Sequence, residues 1–167
     1  MGSKRVGLAR VQSLIQNLKR ELDLTSTQLN GLHKGVKTLV TGGAGTTVVT
    51  AEDSGKVIFV DGSTSGNHTI TLPPPTTIGL EYIFVLNADN HSGTKILLDS
   101  QVSGGIKGML KVLAASAIAN VVNHSNQKLG FGALSKIGST IHIVSSGNFY
   151  HIVEAVSDVT HITAFGG

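Results

Sequence analysis

The sequence predicts a mainly β protein with an N-terminal α-helical coiled coil and a β-sandwich or jelly-roll-like body. Three observations carry this prediction: a heptad repeat over the first forty residues, short alternating runs after it, and an unusual composition. The chain of 167 residues contains 21 Gly, no Cys and only 14% charged residues. The lack of Cys excludes a disulfide framework and a Cys-based zinc site. The longest apolar run, 109–122, is shorter than the ~20 residues of a membrane span, so no membrane partner is expected.

Apolar residues recur at steps of three and four residues throughout the first segment, 1–40, which is the predicted stalk. Nine of the ten heptad core positions are apolar, and Thr25 is the exception. This spacing predicts a left-handed supercoil, so we expect the segment to associate with copies of itself. The predicted oligomerisation residues are Leu8, Val11, Ile15, Leu18, Leu22, Leu29, Leu32, Val36 and Leu39.

Two features oppose an unbroken helix in this segment. Gly31 and Gly35 each cost about 1 kcal/mol relative to Ala inside a helix. Thr25 and Gln28 have the spacing of a capping box, which is typical of a helix start. The heptad phase nevertheless continues through Asp23–Ser26, which favours one continuous helix. The residue types at the core positions are mixed, so the pattern alone leaves dimer and trimer open.

A Gly-rich joint at 41–46 is predicted to connect the stalk to a β-rich body at 47–167. Short apolar or alternating runs in the body are separated by turn residues such as Asp61-Gly62 and Pro73-Pro74-Pro75. The Ala-rich stretch 113–119 is also compatible with a helical turn. The predicted strands cover 47–50, 57–61, 68–72, 82–86, 95–98, 106–113, 119–122, 128–131, 140–144, 149–155 and 161–165.

Charge is distributed unevenly between the two parts. Residues 1–39 carry a net charge of +5 and residues 40–167 carry −2, which together give +3. A basic segment can dock on an acidic protein surface or on nucleic acid, and it can also be the solvated flank of a coiled-coil helix. We take Lys4, Arg5 and Arg10 as candidate docking residues on a protein surface and expect no nucleic-acid partner.

No motif in the sequence predicts catalysis. The stretch Leu39–Gly45 resembles the start of a dinucleotide-binding fingerprint, but Val48 occupies the third glycine position and no helix pattern follows. The seven His lack the spacing of a metal site. The adjacent acids Glu52 and Asp53 lie in a turn-like stretch. If the chain were a cleaving enzyme, its activity would depend on Glu52, Asp53 or Asp61. We therefore expect no enzymatic activity, no catalytic residues, no cofactor and no metal.

Several short phrases carry a family resemblance over essentially the whole chain. They are the basic opening Lys4–Arg10, Ala51–Lys56, Val60-Asp61, Thr69–Pro73, Gly79–Phe84 and Ser146–Ile152. With the heptad segment, their order resembles virion structural proteins of tailed, especially marine, bacteriophages, of the capsid decoration or head-fibre type. The resemblance implies a homotrimer, in preference to a dimer, with an N-terminal coiled coil and a β-rich body.

The same resemblance implies a place and a partner. We expect a virion protein on the capsid surface, made in the host cytoplasm, that contacts the major capsid protein or another virion protein. Two alternatives remain within the particle. The chain could be a tail fibre or adaptor, or it could be a receptor- or glycan-binding module that uses loops such as 89–93 or 123–128.

Overall fold

The computed structural model describes residues 10–18, 35–40, 43–114, 117–158 and 162–165. The chain divides into two compact units, 1–35 and 36–167. In the first unit, the described residues form one helix, α1, over 10–18. No described helix has the length and apolar character that crossing a membrane requires.

The second unit is a β-body of two mixed sheets. The larger sheet has the strand order β1-β3-β5-β10-β11-β7-β8 and the smaller has the order β12-β9-β6-β4-β2. One short 3₁₀ helix, Ala51–Asp53, follows β2. The strands are β1 Val36–Val40, β2 Gly45–Val48, β3 Val57–Asp61, β4 His68–Thr71, β5 Glu81–Leu86, β6 Ile96–Asp99, β7 Ile106–Ala114, β8 Ala117–Asn126, β9 Lys128–Phe131, β10 Thr140–Ser145, β11 Tyr150–Asp158 and β12 Ile162–Phe165.

The first six strands alternate between the two sheets and stack as three parallel rungs. Strands β1, β3 and β5 pair in parallel in the larger sheet. Strands β2, β4 and β6 do the same in the smaller sheet. Each rung therefore contributes one strand to each sheet, as in a short β-solenoid in which every repeat contacts its neighbours.

The turns that join the two sheets within each rung also stack. The backbone N–H of Gly45 donates to the carbonyl of Asn67 at 3.2 Å, and the N–H of Lys95 donates to Oδ1 of Asn67 at 3.0 Å. Asn67 thus links three successive turns. Gly66 lies beside it with φ +128°, and a Cβ there would fall 2.4 Å from the nitrogen of Ala44. Only glycine permits this close approach of two turns.

The strands of the second half of the body extend both sheets, and most of them pair antiparallel with their neighbours. Strand β9 pairs antiparallel with β6, and β10 pairs antiparallel with β5. Strand β11 forms a hairpin with β10 and then pairs in parallel with β7, which pairs antiparallel with β8. Strand β12 pairs antiparallel with β9.

A single apolar core joins the two sheets. Burial alternates along β3, β5 and β10, as expected when every second side chain faces the core. Tyr82, Tyr150 and Phe84 are its largest fully buried side chains. The ring centroids of Tyr82 and Tyr150 lie 6.2 Å apart. The Tyr82 hydroxyl donates to the carbonyl of Thr50 at 3.0 Å and that of Tyr150 to Pro73 at 2.8 Å, so both buried polar tips are satisfied.

The mainly β prediction for the body is confirmed, and the eleven predicted runs correspond to β2–β12. The helical alternative for the Ala-rich stretch is wrong for its described residues, which lie in β7 and β8. An antiparallel jelly roll does not describe β1–β6, because these strands pair in parallel. Parallel and antiparallel strands share the same alternation of side chains, so the sequence pattern could not separate them.

The body also begins earlier than predicted. Residues 36–40, assigned to the stalk, form β1, and two residues assigned to the joint, Gly45 and Thr46, lie in β2. The physical reason is that 36–40 reads Val-Lys-Thr-Leu-Val, which is rich in β-branched residues and follows a helix-disfavouring glycine, Gly35. The predicted continuation of the helix through Asp23–Ser26 falls on residues outside the described ranges.

The buried His124 makes the stability of the body depend on pH. It is 1% exposed, and neither ring nitrogen has a hydrogen-bond partner among the described residues. Burial lowers the pKa of this imidazole below its ordinary value of 6.5. At this residue the unfolded chain binds more protons than the folded chain between pH 6.5 and the lower folded-state pKa, so the free energy of unfolding decreases as the pH falls through this range.

We predict that His124→Leu raises the free energy of unfolding by about 1 kcal/mol at pH 7, because a buried unpaired polar group is replaced by an apolar one. The variant should also lose less stability than wild type between about pH 7 and 5. Urea unfolding of the full chain at both pH values measures the effect. The exposed His91→Gln is the control, and a wild-type pH slope in His124→Leu would contradict the prediction.

Candidate functional site

Helix α1 presents an apolar face to solvent in the described structure. Val11, Leu14, Ile15 and Leu18 are 39%, 61%, 59% and 58% exposed. Their spacing places them on one side of the helix. Three of the four are predicted oligomerisation residues, whereas Leu14 is an addition. Arg10, a candidate docking residue, is exposed at the start of the same helix.

The structure brings only part of the predicted oligomerisation set onto one helix. Val11, Ile15 and Leu18 lie together on α1. The remaining candidates in this segment lie outside the described residues. They are the oligomerisation residues Leu8, Leu22, Leu29 and Leu32 and the docking residues Lys4 and Arg5.

The assignment of Val36 and Leu39 to the heptad seam is wrong, because both lie in β1. Leu39 is 7% exposed and belongs to the core of the body, next to Val60 of β3 in the register of the sheet. Val36 is 65% exposed and pairs with Val57. Residues three apart share one face of a helix but lie on opposite faces of a strand, which is why Val36 is exposed and Leu39 is buried.

A buried ion cluster fastens β1 to the 3₁₀ helix. The Asp53 carboxylate, 5% exposed as a residue, pairs with the ammonium groups of Lys37 on β1 and of Lys56, the latter at 2.9 Å. The backbone N–H of Thr50 also donates to this carboxylate, at 3.1 Å. Burial alone would raise the pKa of Asp53, but the hydrogen bonds from Lys37, Lys56 and Thr50 outweigh it and hold the pKa well below its usual range.

The acids considered for catalysis therefore have different environments. Asp53 is held as an anion by two lysines, so it could not act as a general acid near neutral pH. Glu52 is exposed beside it. The pKa of Asp61 is lowered by hydrogen bonds from the side chain of Ser63 and from its backbone N–H, the latter at 2.9 Å. Within the described ranges, no group of three or more His, Asp or Glu could hold a metal ion.

The outward face of the larger sheet, from β1 to β11, carries both apolar and polar side chains, and its apolar residues are contiguous on β1, β3 and β5. We call it the outer face. Val36 and Val153 are 65% and 58% exposed, and the residues between them are half-buried by their neighbours on the sheet. The apolar members of the outer face are Val36, Val57, Phe59, Ile83, Val85, Val144 and Val153.

Polar groups on the outer face lie in a few defined places. Nε2 of His142 and Oε1 of Glu81 lie 2.9 Å apart near its centre. At the β7 side, the ammonium of Lys107 lies 4.3 Å from the centroid of the Phe149 ring, which also contacts the ring of His151. Carboxylates lie on both sides of this face, because Glu154 of β11 is exposed and lies opposite His142 in the register of β10 and β11.

The outward face of the smaller sheet is different. It carries mainly threonines and an ion pair in which the ammonium of Lys128 and the carboxylate of Asp99 lie 3.6 Å apart. Thr69 and Thr71 of β4 lie on this face with two apolar side chains, Val48 of β2, which is 60% exposed, and the half-buried Leu97 of β6. The two sheets thus share one core but present chemically different outer surfaces.

The outer face was not identified from the sequence, although the sequence contains a signal for it. The runs Val57–Val60 and Tyr82–Leu86 are continuously apolar rather than alternating. Continuous apolar strands are typical of sheets that are covered on both faces. One face of these strands covers the shared core, and the other is the outer face.

Comparison with known proteins adds no family to this description. No protein-family model and no curated protein matches this chain.

We predict that Asp53→Asn lowers the free energy of unfolding by about 2 kcal/mol at pH 7, because two ammonium groups lose their buried counterion. Since the folded-state pKa of Asp53 is depressed, its stabilising effect is present above pH 3.8 and is lost as the pH falls further, so the difference from wild type should shrink there. Urea unfolding of the full chain at neutral and acidic pH measures both. The control is the exposed Glu52→Gln, whose free energy of unfolding should stay within about 0.5 kcal/mol of wild type. If Glu52→Gln lost as much stability as Asp53→Asn, the role of the ion cluster would be refuted.

Proposed function

We propose that this chain is a non-enzymatic structural protein of a bacteriophage particle, a homotrimeric capsid decoration protein on the capsid surface. The observation that carries the proposal is the exposed apolar face of α1 within a heptad-patterned, basic segment. Such a face is unstable in water unless another surface covers it, and an identical helix is the partner that a heptad pattern specifies.

The character of the body supports a structural role. Its three parallel rungs are joined by stacked turns and fastened by a buried ion cluster, which gives a rigid module. Asp53, one of the three acids considered for a cleavage reaction, is held by two lysines. A trimer of such modules would bind a repeating surface through several weak contacts at once, which raises its affinity without a deep pocket.

The charge of the first segment supports docking on a capsid. The net charge of +5 in residues 1–39 suits an acidic protein surface, and Arg10 is exposed at the described end of this segment. In a trimer the charge of each chain would be brought together with that of its neighbours. The major capsid protein, repeated over the shell, is the partner that we propose.

We predict that Ile15→Asp prevents self-association, because a buried unpaired charge at a heptad core position costs several kcal/mol per chain. Light scattering after size-exclusion chromatography of the full chain should give a trimeric mass for wild type and a smaller mass for the variant. The control is Gln16→Asp, which adds the same charge off the apolar face and should remain trimeric. A wild-type mass for Ile15→Asp would show that the helix does not hold the assembly.

We also predict that the protein is a stoichiometric component of purified particles of the phage that encodes it. Quantitative mass spectrometry should give a fixed ratio to the major capsid protein, set by the symmetry of the shell. Complete absence from particles would refute the proposal. A few copies confined to one vertex would instead indicate a tail fibre or adaptor, and glycan binding without capsid binding would indicate a receptor-binding module.

A further inference from the structure

We propose that His124 is an acid-sensitive latch: protonation of its buried imidazole releases part of strand β8 from β7 while the remainder of the body stays folded. This device lies inside the β-body and depends neither on self-association nor on a virion role. It differs from a general loss of stability in acid, because the opening is confined to one strand.

The ring of His124 is buried without any compensation for a positive charge. The residue is 1% exposed, and neither Nδ1 nor Nε2 has a hydrogen-bond partner among the described residues. Other histidines of the body differ in this respect. Nε2 of His68 lies 2.8 Å from Oγ1 of Thr47, and Nε2 of His142 lies 2.9 Å from Oε1 of Glu81. An imidazolium without a partner is strongly disfavoured in the interior, so protonation of His124 requires its ring to reach water.

The titratable groups described on the strands around β8 offer His124 no counterion. Of the two acids on β11, Glu154 is exposed and Asp158 lies at the far end of the β11–β7 ladder. The hydroxyl of the buried Tyr150 already donates to a backbone carbonyl. Strand β12 also approaches β8, but its residues 162–165 are not titratable. The full set is Lys107 and Lys111 on β7, Tyr150, His151, Glu154 and Asp158 on β11, and the paired Lys128 and Asp99 on β9 and β6.

Strand β8 is attached to the larger sheet along one edge only. It ends this sheet and pairs only with β7 in the described structure, whereas β7 is held on its other side by β11. The β7–β11 pairing is especially close at Gly108, the ladder partner of His124, where an added Cβ would fall 2.8 Å from Cβ of Ile152. Opening therefore separates β8 from β7 and leaves β7 attached to β11.

Two features bound the segment that opens. At one end, the β7–β8 ladder changes register after Lys111, so residues 121–126 form a separate stretch of pairing. At the other end, Gln127 is fixed to the smaller sheet. Its Nε2 donates to Oδ1 of Asp99 at 2.9 Å, and its carbonyl accepts from the hydroxyl of the buried Ser100, also at 2.9 Å. The opening unit is therefore 121–126, and Gln127 is its fixed end.

Acid favours the open strand because water restores the ordinary proton affinity of the ring. Burial lowers the pKa of His124 in the closed body below 6.5, whereas the ring in the open segment regains that value. The open state therefore binds more protons between pH 6.5 and the lower closed-state pKa. In this range the equilibrium constant for opening rises by at most about tenfold per pH unit, and below it no further rise occurs.

Hydrogen exchange of backbone amides, measured by NMR on the full chain at increasing urea concentration, tests the latch. After correction for intrinsic exchange rates, the opening constant of the hydrogen-bonded amides in 121–126 should be at least about tenfold larger than that of amides in β5 and β10. It should also be nearly independent of urea, as expected for local opening. Between about pH 7 and pH 5.5 it should rise severalfold, with a ceiling of about eightfold set by the ordinary pKa of 6.5.

Two variants separate the latch from other effects of acid. The rise between the two pH values should disappear in His124→Leu and persist in the control His91→Gln, which replaces an exposed histidine. An undiminished rise in His124→Leu would overturn the proposal. Exchange of 121–126 with the same opening constant and urea dependence as β5 and β10 would also overturn it, because the strand would then open only when the whole body unfolds.

A second measurement does not require a substitution at position 124. The chain has no Cys, so Leu110→Cys on β7 and Ile143→Cys on β10 each place a single thiol at a buried position. Leu110 lies beside Val122 in the ladder, so release of β8 uncovers it. With dithiodipyridine, which reacts in acid, labelling at position 110 should be at least about tenfold faster than at position 143 and should accelerate as the pH falls, each rate being divided by that of the urea-unfolded variant. Equal rates at the two positions would refute a local opening.

Discussion

The register of the parallel ladders is the constraint on which the rest of the body depends. Each rung must place its inward side chains directly against those of the next rung, as Leu39, Val60 and Leu86 do along one row of the larger sheet. The same register aligns the smaller sheet and the turns between the sheets, where Asn67 joins three successive turns. A slip of one residue in any ladder would turn every side chain of that strand to the opposite face.

This register also creates the outer face, because the alternation that orders the core orders the opposite side. Val57, Ile83 and His142 lie next to each other on successive strands because Ile58, Phe84 and Ile141 do so inside. The apolar character of the outer side is therefore a choice of residue types and not a by-product of folding. The smaller sheet obeys the same geometry with Thr46, Thr69 and Thr71 at outward positions, so the pairing of the strands does not require an apolar residue there.

Much of the body could be predicted from the sequence, and the failures have identifiable causes. The runs that became β2–β12 were visible because alternation and turn residues are local signals. Strand β1 was missed because Val36 and Leu39 continue the heptad phase, and only pairing with β3 reveals them as a strand. The parallel rungs and the role of Asn67 depend on contacts between segments distant in sequence. The Asp53 cluster was hidden for the same reason, since Lys37 is sixteen residues away.

The stacked rungs also imply an uneven resistance to local opening. In the described structure β1 pairs only with β3 and β2 only with β4, whereas β5 and β6 each have neighbours on both sides. The first rung is thus the end of the stack, and the Lys37–Asp53 ion pair is its extra attachment. Fraying would begin there and stop at the doubly flanked third rung. A mechanical load that arrived through residue 35 would act first on β1, which has a neighbouring strand on one side only.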